Sequence, residues 1–121
     1  MDIGLWRYRA QVRRVVDGDT LDLDVDLGFH LRALIRVRLQ GVDTWEVRGP
    51  ERPAGLEAKA FVERWLEVDQ DHVIVETTKT GKFGRWLARI TRPSDGADLG
   101  VDLLAAGHGV AVDDHGRRLR R

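Results

Sequence analysis

Two alternating runs joined by a three-residue link constrain this chain more than any other feature. Leu21, Leu23, Val25 and Leu27 alternate with Asp22, Asp24 and Asp26. After Gly28, Phe29 and His30, a second set of Ala33, Ile35, Val37 and Leu39 is offset from Arg32, Arg36, Arg38 and Gln40. A period of two puts each apolar set on one face of a strand. Strands so joined pair antiparallel, one face against a core and the other in water. The wet faces carry opposite charges. Cross-strand Asp–Arg pairs are therefore expected, each contributing roughly 0.2–1 kcal/mol.

The rest of the chain builds around this hairpin. Residues 9–16 mix basic and apolar side chains and predict a first strand, ended by the turn signal Asp17-Gly18-Asp19-Thr20. Residues 41–53 hold two glycines and two prolines and read as a loop. Ala54 to Leu66 predicts a helix, with Ala58, Phe61, Val62, Trp65 and Leu66 on one stripe. Val73-Ile74-Val75 is β-branched and reads as a strand; Thr80 to Gly84 is a turn, and Trp86 to Thr91 the returning strand. Trp65 and Trp86 are expected in the core. Leu99 to Ala106 predicts a short helix stopped by Gly107. The expected fold is mainly β with helices, of the α+β class. It is a closed five-stranded OB-type barrel with one main helix and a short second helix. Residues 1–112 make one domain and 113–121 a basic, disordered tail.

Composition excludes several function classes. There is no cysteine, so disulfides and thiolate metal sites are impossible. The N-terminus has no apolar signal core, and no apolar run approaches the roughly 20 residues that span a bilayer. A cytoplasmic setting, bacterial or phage-infected, is expected, with no membrane partner and a monomeric state. Net charge is zero, yet four of the twenty basic residues lie in the final GRRLRR, leaving sixteen against twenty acidic ones. A binder of nucleic acid usually shows a basic surplus. This body would need a local positive site or a bound cation.

Two acidic clusters can supply one. Asp17-Gly18-Asp19-Thr20 and Gly41-Val42-Asp43-Thr44-Trp45-Glu46 carry loop carboxylates of the kind that converge on a hard cation. Asp-Gly and Asp-Thr are equally ordinary turn formers. The Asp22, Asp24, Asp26 run fails as a Ca²⁺ loop: its glycine comes one position late, and Ala33 stands where the loop needs Glu. Arg38 on the wet face and Arg85 after Gly81-Lys82-Phe83-Gly84 are candidate phosphate ligands, since guanidinium forks bind phosphate and keep their charge. The same arginines could be plain surface charges. The four histidines lack metal-ligand spacing, and no P-loop or G-x-S-x-G motif is present.

Taken in order, the segments Val15–Thr20, Val37–Glu46, Gly55–Phe61, Lys82–Ala88 and Leu103–Gly107 resemble the staphylococcal (micrococcal) nuclease family. The resemblance implies an OB-fold and one Ca²⁺, with Asp19, Asp43 and the Thr44 carbonyl as metal ligands. It makes Glu46 the residue that orients or deprotonates water, and Arg38 and Arg85 the holders of the scissile phosphate. Lys82, Phe83 and Trp45 would contact substrate. The implied activity is Ca²⁺-dependent hydrolysis of DNA and RNA with little sequence preference, leaving 3′-phosphate ends. The chain departs from the family in Trp45 for Pro, Gly81 for Asp and Phe83 for Tyr. The family's third, C-terminal helix is expected to be lacking. The alternatives are a non-catalytic OB-fold that binds nucleic acid, which would be expected to have lost part of the site, and an accessory protein docking through its basic tail.

Overall fold

The computed structural model describes residues 6–80 and 86–113, the side chains of 78–80 excepted. Its elements are β1 (Arg7–Asp17), β2 (Thr20–Gly28), β3 (Leu31–Leu39), β4 (Val42–Thr44), a 3₁₀ turn (Gly49–Glu51), α1 (Arg52–Glu67), β5 (His72–Thr80), β6 (Trp86–Thr91), α2 (Leu99–Ala105) and β7 (Gly109–Ala111). β1, β2 and β3 form an antiparallel meander. β3 pairs in parallel with β6, β6 antiparallel with β5, and β5 returns to β1. The sheet closes in the order β1-β2-β3-β6-β5, the five-stranded OB-type barrel that the order of strands and helices predicts.

The period-two pattern places Leu21, Leu23, Val25, Val37 and Leu39 inside, against Val73, Val75, Ala88 and Ile90. The expected charge pairs form on the outside: Arg36 Nε donates to Asp22 at 2.7 Å and Arg32 Nε to Asp24 at 2.8 Å. Leu27, Ala33 and Ile35 depart from expectation, the first exposed and the other two only half-buried. β1 pairs with β2 no further than Val25, so beyond that point β2 and the start of β3 pair only with each other among the described residues. Their tip turns through Phe29 and His30, both at positive φ, and Phe29 is 95% exposed.

α1 starts two residues before its predicted position, with Pro53 in the first turn, where a missing N–H breaks no helical bond. Its stripe of Ala58, Val62, Trp65 and Leu66 is buried over one end of the barrel, with Phe61 partly so. Trp65 Nε1 donates to Asp102 Oδ2 at 2.8 Å and so ties α1 to α2. The Arg92 guanidinium lies 4.7 Å from the centre of the Trp65 ring. At the start of α2, Asp98 accepts from the Val101 N–H. The helix ends at Ala105, with Gly107 at φ 77° beyond it.

Two expectations need correction. Residues 41–53 are not only loop: they contain β4, which pairs antiparallel with β7. Three residues are too few to show a period, so this ribbon was invisible to pattern reading. Trp86 is not core. It begins β6 at the open end of the barrel and is 45% exposed. No helix among the described residues is long and apolar enough to cross a membrane. The basic tail expected after residue 113 lies outside the described residues.

Candidate functional site

Three short elements bring the two acidic clusters together. Gly18 and Asp19 form the two-residue link between β1 and β2, where Asp17 pairs with Thr20. The Asp19 carbonyl accepts from the Leu39 N–H at 2.8 Å, which hitches this link to the end of β3. Gly18 is needed for close approach. A Cβ there would lie 3.0 Å from both Ala58 Cβ and Thr44 Oγ1. β4 presents Asp43 and Thr44, and β7 holds it in place through the pairs Asp43–Val110 and Thr44–Gly109. Arg38 comes from the outer face of β3, opposite Thr20.

The side chains converge on one nitrogen. Arg38 Nη2 donates to Asp43 Oδ1 at 3.2 Å and lies 3.7 Å from Asp19 Oδ2. Asp19 is only 6% exposed. Its Oδ2 accepts from the Thr44 backbone N–H at 3.0 Å and its Oδ1 from the Thr20 hydroxyl at 2.9 Å. Burial pushes the Asp19 carboxyl above its ordinary range. The Thr44 N–H, Arg38 and the Thr20 hydroxyl pull the other way without cancelling it, and the Asp43 charge adds to the rise. Among the interactions described, Asp19 and Asp43 both face the Arg38 guanidinium.

That arrangement fits a hard cation. The candidate ligands are oxygens, and both carboxylates face the Arg38 guanidinium. The buried Thr44 hydroxyl has no hydrogen-bond partner among the described residues. No group of three or more His, Cys, Asp or Glu among those residues could hold a metal alone. A cation at Asp19 and Asp43 would therefore draw on backbone carbonyl and water oxygens, as Ca²⁺ with its six to eight oxygen ligands commonly does.

Glu46 lies three residues beyond Asp43 with its side chain exposed. Its backbone is pinned although Trp45 stands where a proline would preset φ. The Glu46 N–H donates to Glu51 Oε1 at 3.2 Å, and Arg52 Nη1 donates to the Val47 carbonyl at 3.2 Å. Helix α1 lies so close that a Cβ on Gly55 would fall 2.0 Å from the Glu46 carbonyl oxygen. Trp45 is half-buried. Lys82, Phe83 and Arg85 lie outside the described residues. The chain re-enters the sheet at Trp86, which pairs with Val37, one residue from Arg38.

The structure thus joins Asp19, Arg38, Asp43 and Thr44 into one hydrogen-bonded cluster, and places Glu46 on the clamped segment leading out of it. Sequence reasoning gave no role to Thr20, Glu51, Gly18 or Gly55. Thr20, Gly18 and Gly55 were legible as parts of quoted motifs. Glu51, which braces Glu46, carried no signal.

Comparison with known proteins identifies the family. A family model described as staphylococcal nuclease homologue matches residues 36–119. The chain is also similar to Protein ParB of Escherichia coli, at 30% identity over 121 residues covering 90% of this chain. It spans about 60% of the length of that relative.

Proposed function

Because the chain belongs to the staphylococcal nuclease homologues, we propose that it is a Ca²⁺-dependent nuclease that hydrolyses phosphodiester bonds of DNA and RNA and leaves 3′-phosphate ends. The observation that carries this reading is the convergence of Asp19 and Asp43 on the Arg38 guanidinium. An acidic pair meeting one arginine is poorly suited to holding phosphate as it stands. With a divalent cation between the carboxylates it becomes suited, since Arg38 can then exchange a carboxylate partner for a phosphate oxygen.

Asp19, Asp43 and the Thr44 carbonyl are the residues that would hold the cation. Bound there, Ca²⁺ would supply Lewis-acid polarisation of a phosphoryl oxygen. Arg38 and Arg85 would grip the scissile phosphate and stabilise the charge that grows on it. Glu46 would orient or deprotonate the attacking water, with its backbone held by Glu51 and by the close approach of α1. Lys82, Phe83 and Trp45 would contact the flanking substrate. Phe83 offers a ring without the hydroxyl that a tyrosine would add.

The test is cleavage of single- and double-stranded DNA with Ca²⁺, with Mg²⁺ and with EDTA. Activity is expected with Ca²⁺ and none with EDTA; equal rates in EDTA would sink the metal mechanism. Glu46→Ala and Arg85→Ala are each expected to lower turnover by ~10²–10³ or more while the fold survives, the scale for losing one preorganised group. Tight binding without turnover in Ca²⁺ would instead favour a non-catalytic nucleic-acid module.

A further inference from the structure

β3 is paired along the whole of one edge and along only part of the other. β2 runs beside it from Leu31 to Arg38. On the far side β6 joins it only at Val37, Arg38 and Leu39. From Leu31 to Arg36 the backbone groups of that far edge therefore have no strand beside them among the described residues. Such a row is a template for another strand. Folded proteins blunt exposed edges with proline, a bulge or an inward-pointing charge. The stretch Leu31-Arg32-Ala33-Leu34-Ile35-Arg36 holds no proline. It pairs with β2 without a register shift from Arg32 to Arg36. Its two arginines point outward, and their own Asp24 and Asp22 hold them. The side chains around the edge are apolar where they meet water. Leu34 is 80% exposed, Leu31 is 59% exposed, and Phe29 stands bare at the tip. One exposed leucine is ordinary, but a group of them beside an unpaired edge marks an interaction surface.

The edge is complementary to a second copy of itself. Two identical strands pair antiparallel across a two-fold axis, with residues of the same face opposed, so the axis falls on one residue. Centring on Leu34 sets Arg32 against Arg36 of the second copy, and like charges directly opposed are destabilising. Centring on Arg32 or Arg36 opposes an arginine to itself. Centring on Ile35 needs the edge at Val37, which Trp86 already occupies. Centring on Leu31 runs off the start of the strand. Centring on Ala33 has none of these faults. It opposes Ala33 to Ala33, Leu31 to Ile35 and Arg32 to Leu34, so all five residues from Leu31 to Ile35 find a counterpart. Apolar side chains meet on the inner face. On the outer face the aliphatic stem of each Arg32 covers the exposed Leu34 of the other copy.

We propose that the protein forms a two-fold dimer in which β3 of one copy pairs antiparallel with β3 of a second through Leu31–Ile35, centred on Ala33. The pairing is isologous and closes at two copies. The inference departs from the monomer expected from the sequence, and it does not depend on the nuclease reading. Arg38 lies outside the paired stretch, so each copy keeps its own acidic cluster.

The chain has no cysteine, so single introduced thiols test both the contact and its register. Opposed residues of antiparallel strands have Cα atoms about 4.5–5.5 Å apart, within the reach of a disulfide. Under mild oxidation Ala33→Cys is expected to cross-link into a dimer at least about ten-fold faster than Leu31→Cys or Ile35→Cys. Val101→Cys, exposed on α2, gives the rate of random collision. Sedimentation equilibrium of the unaltered full chain is expected to show a mass of two chains at high concentration. Leu31→Lys should weaken that association by about ten-fold or more, as a lysine on an edge strand does, and should melt like the parent in dilute solution. The cross-linking result stands even if Leu31→Lys fails to fold. A single-chain mass at every concentration up to about 1 mM would overturn the dimer. Cross-linking of Ala33→Cys no faster than that of Val101→Cys would do the same, as would a mass that climbs past two chains. Faster cross-linking of Ile35→Cys than of Ala33→Cys would overturn the register.

Discussion

Asp19 shows how one side chain can be costly to the fold and still be required by the proposed site. It is buried, its oxygens are engaged by Thr44 and Thr20, and its carboxyl still sits above the ordinary range because burial outweighs those contacts. The folded state therefore holds the Asp19 proton more tightly than the unfolded chain, whose ordinary value is 3.8. Its contribution to stability is present below that value and is lost as pH rises through the raised one. In EDTA, Asp19→Asn is expected to melt higher than the parent near neutral pH, because the amide oxygen can still accept from the Thr44 N–H without the cost of a buried charge. The gap should shrink as pH is lowered. Adding Ca²⁺ should raise the melting temperature of the parent and not of Asp19→Asn, because the cation needs the ionised form. Circular-dichroism melts across pH 4–8 with and without Ca²⁺ would show this; an Asn variant that is less stable in EDTA at neutral pH would contradict the burial argument.

At the scale of elements, the site depends on how closely α1 approaches the β4 segment. Gly55 lies in the middle of the first half of α1, where alanine would normally favour the helix by roughly 1 kcal/mol. Here the Cβ would meet Glu46 backbone at 2.0 Å, so α1 or the Asp43–Val47 segment has to move. Gly55→Ala is expected to destabilise the protein and to lower turnover more than it lowers substrate affinity, because Glu46 moves and Arg38 does not. A more stable variant with unchanged turnover in steady-state kinetics would refute this close contact. The link between helices is a separate device. Trp65→Phe keeps the ring but removes the 2.8 Å bond to Asp102. A loss of about 1.5–3 kcal/mol, the range for a hydrogen bond to a charged group, is expected in urea unfolding.

For the molecule as a whole, charge decides how it meets a polyanion. Outside the last six residues acidic groups outnumber basic ones, and Arg32 and Arg36 are occupied by Asp24 and Asp22. If Arg38 and Arg85 make the two phosphate contacts proposed above, the salt dependence should be shallow. For a chain ending at Asp113, log K against log salt should have a slope of about −1.4 on single strands. The full chain should be steeper, towards about −4 if all four arginines of GRRLRR engage. Affinity measured at three or four salt concentrations separates the two. Identical slopes would make the tail incidental.

Much of this was legible before any coordinates. Alternation at residues 21–39 determined two paired strands, their outer Asp–Arg pairs and which side chains share the inward face, though not that this face leaves the core at Leu27, Ala33 and Ile35. The helical stripe from Ala58 to Leu66 did the same for α1, because it is long enough to have a phase. The motif order named Asp19, Arg38, Asp43 and Glu46 as belonging together. Only the tertiary structure decided how they meet. Asp19 and Asp43 are brought to one guanidinium by the β4–β7 ribbon, which pairs residues far apart in the chain and is too short to leave a period. Trp86 shows the same limit. Its strand reads as core, and the residue is half exposed because it sits at the barrel end away from α1 and α2, a property of closure that no local pattern contains.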